Sequence, residues 1–189
     1  MKYSGVMSLV VKSFDELVEQ LKNKSFKVMS VDGRDGSGKT YLSEKLNEHL
    51  GGSILSEVTY RSAGLAGKFE YDKIKILHDL AEALNKPPVI FESCFMLLIL
   101  KDIGLKPSAS VYVKPMSETT DQWTDEDELD MEPTKELALE KEISFGRQIG
   151  ISPSNFRLQM IEYHYDFKPH ENSSIIFERV EKFGPDSDY

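Results

Sequence analysis

Gly33-Arg34-Asp35-Gly36-Ser37-Gly38-Lys39-Thr40 sets two glycines five residues apart and follows the second with Lys and Thr, the spacing of a phosphate-binding loop. Each residue type has a physical reason to be there. Glycine lets the backbone turn at positive φ and approach an anion closely, so that successive N–H groups point into one hollow. Lys39 adds a full positive charge. Thr40 brings a hydroxyl for Mg2+ at the first turn of the helix expected to follow, whose N-terminus carries about half a positive charge and free N–H donors. The reading assigns Gly33, Asp35, Gly36, Ser37, Gly38, Lys39 and Thr40 to a nucleoside triphosphate, with ATP and Mg2+ as the expected cofactors.

Such a motif carries weight only between a buried strand and a helix, and the flanks supply both. Phe26 to Val31 reads as a short strand, and Tyr41 to Leu50 places Leu42, Leu46 and Leu50 at helical spacing before Gly51-Gly52. Working outward, Ser13-Phe14-Asp15-Glu16 fits a capping box in front of the stripe Phe14, Leu17, Val18, Leu21, so residues 1–25 are expected as an N-terminal helical extension. Ser53 to Val58 reads as a second strand carrying Glu57 near its end, and Thr59 to Glu70 as a loop. Tyr71 to Leu84 reads as a helix with Ile74, Leu77, Leu80 and Leu84 on its apolar face. Val89-Ile90-Phe91 leads to Glu92, Cys94 to Leu100 reads as a buried helix ended by Gly104, and Ser110 to Lys114 as a strand closed by Pro115. Helices are expected over Thr134–Arg147, burying Leu137 and Ile143, and over Pro153–Tyr163. A last strand follows at Ser174–Glu178, with Gly184–Tyr189 as a frayed tail.

Strands alternating with helices over this length imply βαβ units. The expectation is one α/β domain spanning residues 1–189, a three-layer αβα P-loop NTPase fold with a mainly parallel five-stranded sheet and a small lid. In such sheets ligands bind beyond the carboxyl ends of the strands, where the glycine loop, Glu57 and Glu92 converge. Phosphoryl transfer asks little covalent chemistry of a protein: Mg2+, positive charge on the phosphates, and a carboxylate to orient or deprotonate the attacking hydroxyl. Glu92 suits the metal role beside Thr40, and Glu57 the base role.

Composition narrows the partners. The net charge is −9, which argues against a duplex nucleic acid, since no basic patch is present to release counterions. The longest apolar run, Cys94 to Leu100, is too short to span a bilayer, and the N-terminus lacks the order of a secretory signal; a cytoplasmic location without membrane association is expected. The single cysteine, Cys94, cannot form an intramolecular disulfide and reads as an inert core thiol. Ser117 to Pro133 holds eight acidic residues and no Lys or Arg. Its plain reading is a solvated loop; the sharper one makes 117–150 a lid or partner surface with Trp123 as an exposed anchor. His164 and His170, among the aromatics Tyr163, Tyr165 and Phe167, read as packing, and no two histidines stand at metal-ligand spacing.

Val31 to Thr40 resembles the opening of the uridine kinase-like branch of P-loop kinases. The likeness continues at Val89-Ile90-Phe91-Glu92-Ser93, at Val111-Tyr112-Val113-Lys114 and at Tyr163 to Asn172. The resemblance implies ATP-dependent transfer of the γ-phosphoryl group to a hydroxyl of a nucleoside or similar metabolite. It also implies a carboxylate followed by an aromatic at the end of the second strand; the matching positions are Glu57, where the family favours Asp, and Tyr60, with Arg61 holding the acceptor. The family tends to carry lid arginines that neutralise the transferred phosphoryl. Here an acidic run lies in or near that region, which leaves Arg147 as the first candidate and Arg157 as the second. The alternative reading is therefore an ATP-binding regulatory or scaffold protein with weak transfer or none. The acceptor's identity and a homodimeric state stay open at this point.

Overall fold

Ser13 and Glu16 open the first helix much as a capping box does. The Ser13 hydroxyl accepts the Glu16 N–H at 3.2 Å, while the Glu16 carboxylate reaches back to the N–H of Lys12 at 2.9 Å. Behind that cap, α1 (Phe14–Lys22) buries Leu17, Val18 and Leu21. In the computed structural model of the chain, residues 8–22, 25–64 and 67–181 are described; the tail expected at Gly184–Tyr189 lies outside them.

The chain forms an α/β fold around a six-stranded sheet, every neighbouring pair parallel, with helices on both faces. The strands are β1 (Leu9–Val11), β2 (Val28–Asp32), β3 (Ser53–Ser56), β6 (Val89–Ser93), β7 (Ala109–Ser117) and β8 (Ile175–Glu181), in the order β1-β8-β7-β2-β6-β3. The helix α2 (Lys39–Leu50) carries the chain from β2 out to β3. The chain then returns to fill the gap with β6 and crosses by α5 (Met96–Ile103) to the other side of β2 as β7. A reversal of strand order of this kind leaves a crevice at the carboxyl ends of the strands that flank it.

Alternation along the strands divides the core. Met29, Val31, Ile90 and Val111 pack with Leu17, Leu21, Leu42 and Leu46 on the α1–α2 side. Val28, Val89 and Phe91 pack on the opposite side with Ile76 and Leu80 of α4 (Lys73–Ala83), with Ile99 of α5, and with Met160 and Tyr163 of α8 (Asn155–Phe167). Removing such a side chain, for example Leu46→Ala, costs about 2–5 kcal/mol.

Several expectations are corrected. The sheet has six strands rather than five, because Leu9-Val10-Val11 pairs with β8 at the edge; three residues are too few for periodicity to be read, so the stretch 1–25 is not helix alone. The second strand stops at Ser56, and Glu57 starts a helical turn, α3 (Glu57–Tyr60). The stretch read as a loop holds the two-stranded antiparallel pair β4 (Arg61–Ala63) and β5 (Phe69–Tyr71). In α4, which Asp72 caps by accepting the Lys75 N–H, the buried residues are Ile76 and Leu80, while Ile74 and Leu77 are exposed; the helix turns to the sheet the face whose Ile76 and Leu80 pack with Val89 and Phe91. Pro115 does not close β7. It lies within the strand, opposite Arg179, past the last residue of β2 that pairs there, Asp32 with Tyr112. A prolyl nitrogen is tolerated where a ladder has no partner on one side.

The acidic stretch is also not a simple solvated loop. Trp123 bridges Met116 in antiparallel fashion and is buried with Tyr112, Leu129, Ala138, Ile161 and Ile176, so the exposed-anchor reading fails. The segment carries one turn of helix, α6 (Glu126–Leu129), and leads into α7 (Lys135–Gln148), which Thr134 caps by accepting the Leu137 N–H at 3.3 Å. That helix buries Ala138 and Gly146 rather than Leu137, which is exposed. The short α9 (Pro169–Asn172) precedes β8.

Candidate functional site

The Gly33–Thr40 stretch runs from the carboxyl end of β2 into the first turn of α2. Gly33, Gly36 and Gly38 stand at φ of 151°, 80° and 89°. At Gly33 a Cβ would meet the carbonyl oxygen of Val113 at 2.9 Å, so the loop lies against the backbone of β7 where only a glycine fits. Gly38 is the N-cap of α2 in the left-handed conformation; no side chain caps that terminus, and no acidic residue stands in its first turn. Donor N–H groups with the helix dipole behind them therefore face the loop without a side-chain acceptor. Ser37 is buried, and its hydroxyl has no hydrogen-bond partner. The Lys39 ammonium is buried and donates at 2.7 Å to the carbonyl of Arg34, turning back over the loop.

Three buried carboxylates surround Lys39. Glu92, on β6, accepts hydrogen bonds from Thr40 at 3.3 Å and from Ser56, so the two residues expected to share a metal stand side by side. Glu57 accepts from the Ser93 hydroxyl at 2.6 Å and the Cys94 N–H at 2.7 Å, which fix its carboxylate at the end of β6. Asp32 ends β2; one oxygen accepts the Gly33 N–H at 2.7 Å and the other the Tyr163 hydroxyl. Burial pushes the Asp32 carboxyl up to about 7, against the pull of those two donors and of the Lys39 charge. For Lys39 burial acts the other way, but the Cys94 sulfur, Glu92 and Glu57 outweigh it and hold the ammonium above its usual range. Burial pushes the Cys94 thiol up to about 12 despite Lys39.

The loop's outer wall comes from elsewhere in the chain. Arg34 is ion-paired with the buried Asp125 of the acidic stretch. From β8 the Arg179 guanidinium donates to the Ser37 carbonyl at 3.1 Å. A hollow of about 250 Å³ lies between Arg34, Gly36, Ser37, Pro115 and Thr124, and a second of about 230 Å³ between Arg34, Asp35, Phe156, Arg157 and Met160. A larger hollow, about 450 Å³, lies between α7 and α8 and contains none of the loop residues; the loop is the better site because the buried polar groups converge there.

The remaining expected residues are placed less simply. Asp35 is exposed at the loop's tip and borders both smaller hollows. Tyr60, expected against an acceptor, is instead buried edge-on to Phe91, ring centres 6.3 Å apart, with the Lys75 ammonium 5.5 Å from its ring. Arg61 is exposed and lays its guanidinium 4.1 Å from the ring centre of Phe156. Arg147 is exposed in the last turn of α7 and lines neither hollow at the loop. Arg157 borders one of them and is ion-paired with Glu142. Sequence reasoning missed Tyr163 and Arg179, which come to the loop from α8 and β8, and did not give Asp32 a role; among these, only Asp32 had a signal, its position directly before Gly33.

His164 is buried between α8 and β7. His164 donates through Nδ1 to the Met160 carbonyl at 2.9 Å and accepts the Tyr112 hydroxyl at Nε2 at 3.0 Å, the tautomer being assigned from these partners. Burial pushes it down to about 3, so the ring is neutral. A scan against protein-family models found no match to this chain, and a search of curated proteins found no related sequence. Among the described residues no helix is long and apolar enough to cross a membrane.

Proposed function

We propose that this protein binds ATP with Mg2+ on the Gly33–Thr40 loop and transfers the γ-phosphoryl group to a hydroxyl of a small metabolite, as a P-loop kinase of the uridine kinase-like kind. One observation carries the reading: an α-helix that opens on a glycine-lined turn with no side-chain cap, beside a buried lysine and a threonine–glutamate pair. The residues fit the two ligands. The unpartnered Ser37 hydroxyl, the α2 N–H groups and Lys39 would hold phosphate oxygens. Thr40 and Glu92 would hold the metal, and the carboxylates around Lys39 leave an excess of negative charge that suits a divalent cation. Bound Mg2+ would neutralise charge on the phosphates.

In this reading Glu57 is the base. Its carboxylate is already fixed by Ser93 and Cys94, so it would accept the acceptor's proton without reorganising. Asp32 stays partly protonated near neutrality and shares its proton network with Tyr163, which keeps a second full negative charge away from Glu57. An acceptor would lie in the hollow that Phe156 and Arg157 border, with Arg61 stacked on the Phe156 ring beside it. A cytoplasmic location accords with this chemistry.

The arginines favour a second reading, an ATP-binding regulatory or scaffold protein with weak transfer or none. Arg34 is committed to Asp125 and Arg157 to Glu142, and Arg147 lies outside the hollows at the loop. An ADP-release assay with ATP and Mg2+ over a panel of nucleosides, sugars and pantothenate-like alcohols separates the two. Acceptor-dependent ADP release that Lys39→Ala abolishes supports the kinase; tight ATP binding with no acceptor-dependent release supports the regulator. Absence of ATP binding sinks both.

A further inference from the structure

A histidine on α9 has a different fate from its packed neighbour. The His170 side chain is 9% exposed, and neither ring nitrogen makes a hydrogen bond. Its Nε2 lies 3.4 Å from Asp130 Oδ1 and 3.9 Å from Glu171 Oε1. One ligand atom from each of the three lies within 4.8 Å of the others, and among the described residues this is the one such group. Ligand atoms around a tetrahedral ion with bonds of about 2.1 Å stand about 3.4 Å apart, so a small closing movement of the two carboxylates brings all three onto a common centre. We infer that Asp130, His170 and Glu171 form a binding site for a divalent first-row transition ion such as Zn2+.

The donor set decides the metal class. One imidazole nitrogen with two carboxylate oxygens suits Zn2+, Co2+ or Mn2+, whereas Mg2+ and Ca2+ favour oxygen alone. The imidazole is fixed by packing, 5.1 Å from the ring centre of Trp123 and 6.0 Å from that of Tyr112, so it needs little ordering on binding. The carboxylates are on the surface, with side-chain exposures of 37% for Asp130 and 52% for Glu171, which leaves room for water as the remaining ligand. A cation already competes there: the Lys168 ammonium lies 2.9 Å from Glu171 Oε1 and must give way. Asp130 belongs to the acidic stretch and the other two ligands to α9, so a bound ion would tie that stretch to the body of the fold. The site goes beyond the proposed nucleotide chemistry and does not depend on it.

Titration of the full chain with Zn2+ by calorimetry, and with Co2+ by visible absorption, tests the site. The expected result is one ion per chain, with Asp130→Asn and Glu171→Gln each weakening it at least about tenfold and Lys168→Met tightening it. Both carboxylate variants lie at the surface, and circular dichroism establishes that they fold. No binding by the parent overturns the inference, as does undiminished binding in both carboxylate variants, which would place the ion on other acids of the chain. Unchanged affinity in Lys168→Met would remove Glu171 from the ligand set.

Discussion

Arg34, inside the glycine loop, is ion-paired with Asp125, 91 residues further along the chain, and Asp125 is buried while its partner is half-buried. The acidic stretch is thereby part of the loop's wall. Asp125→Ala is expected to cost about 1–2 kcal/mol, less than a fully buried pair because water reaches Arg34. Hydrogen exchange should quicken across residues 117–133 while β2 and α2 keep their protection. Unchanged exchange in the stretch would mean that something other than the pair holds it.

Trp123 is the only tryptophan, and it is buried with Tyr112 and Leu129. Native emission should therefore be blue-shifted and move to the red on unfolding, in one step with the loss of helix signal. Trp123→Ala should cost about 3 kcal/mol in chemical denaturation. An emission maximum already at the water-exposed position in the native protein would contradict the burial.

Asp32 gives a pH signature whose sign follows from its raised pKa. The folded state holds the Asp32 proton up to about 7, whereas an unfolded aspartate releases it near 3.8. The group's contribution is therefore fully present below 3.8 and is lost as pH rises towards 7, a change on the order of 4 kcal/mol at most. Thermal melts of the parent and of Asp32→Asn should diverge over that window, the parent losing stability relative to the variant as pH rises. Parallel curves would mean that Asp32 titrates normally.

Gly38 stands at φ +89°, and a Cβ there would lie 2.5 Å from the Arg179 guanidinium. Gly38→Ala is expected to cost about 1–3 kcal/mol from backbone strain and crowding together. Only the second part disappears when Arg179 is shortened, so a double-mutant cycle with Arg179→Ala should give a coupling of about 0.5–1 kcal/mol. Additivity would show that the guanidinium simply moves aside.

The β2–loop–α2 unit was legible because its signals are local: a run of apolar residues, glycines at fixed offsets, and a helical stripe. Glu57 and Glu92 were legible as strand-end carboxylates for the same reason, although Glu57 proved to open a helical turn. What escaped depends on residues distant in the chain. Nothing near Trp123 announces the bridge to Met116 that buries it, and the charges around Asp125 mark a solvated run unless Arg34 is known to lie opposite. The three-residue strand at Leu9 exists only because β8 offers it an edge. The face of α4 was misjudged since both phases of its apolar residues are compatible with a helix, and packing against the sheet chose Ile76 and Leu80.

Cys94 lies at the foot of Lys39, buried, alone of its kind and with its thiol held near pKa 12. A thiol reagent can react only when the floor of the loop opens, and the neutral sulfur is slow even then. The labelling rate of the native chain is thus a clock that counts those openings, with no cysteine engineered in and no competing sulfhydryl to confuse it. Any molecule that settles on the loop should slow that clock, whether or not the protein goes on to transform it.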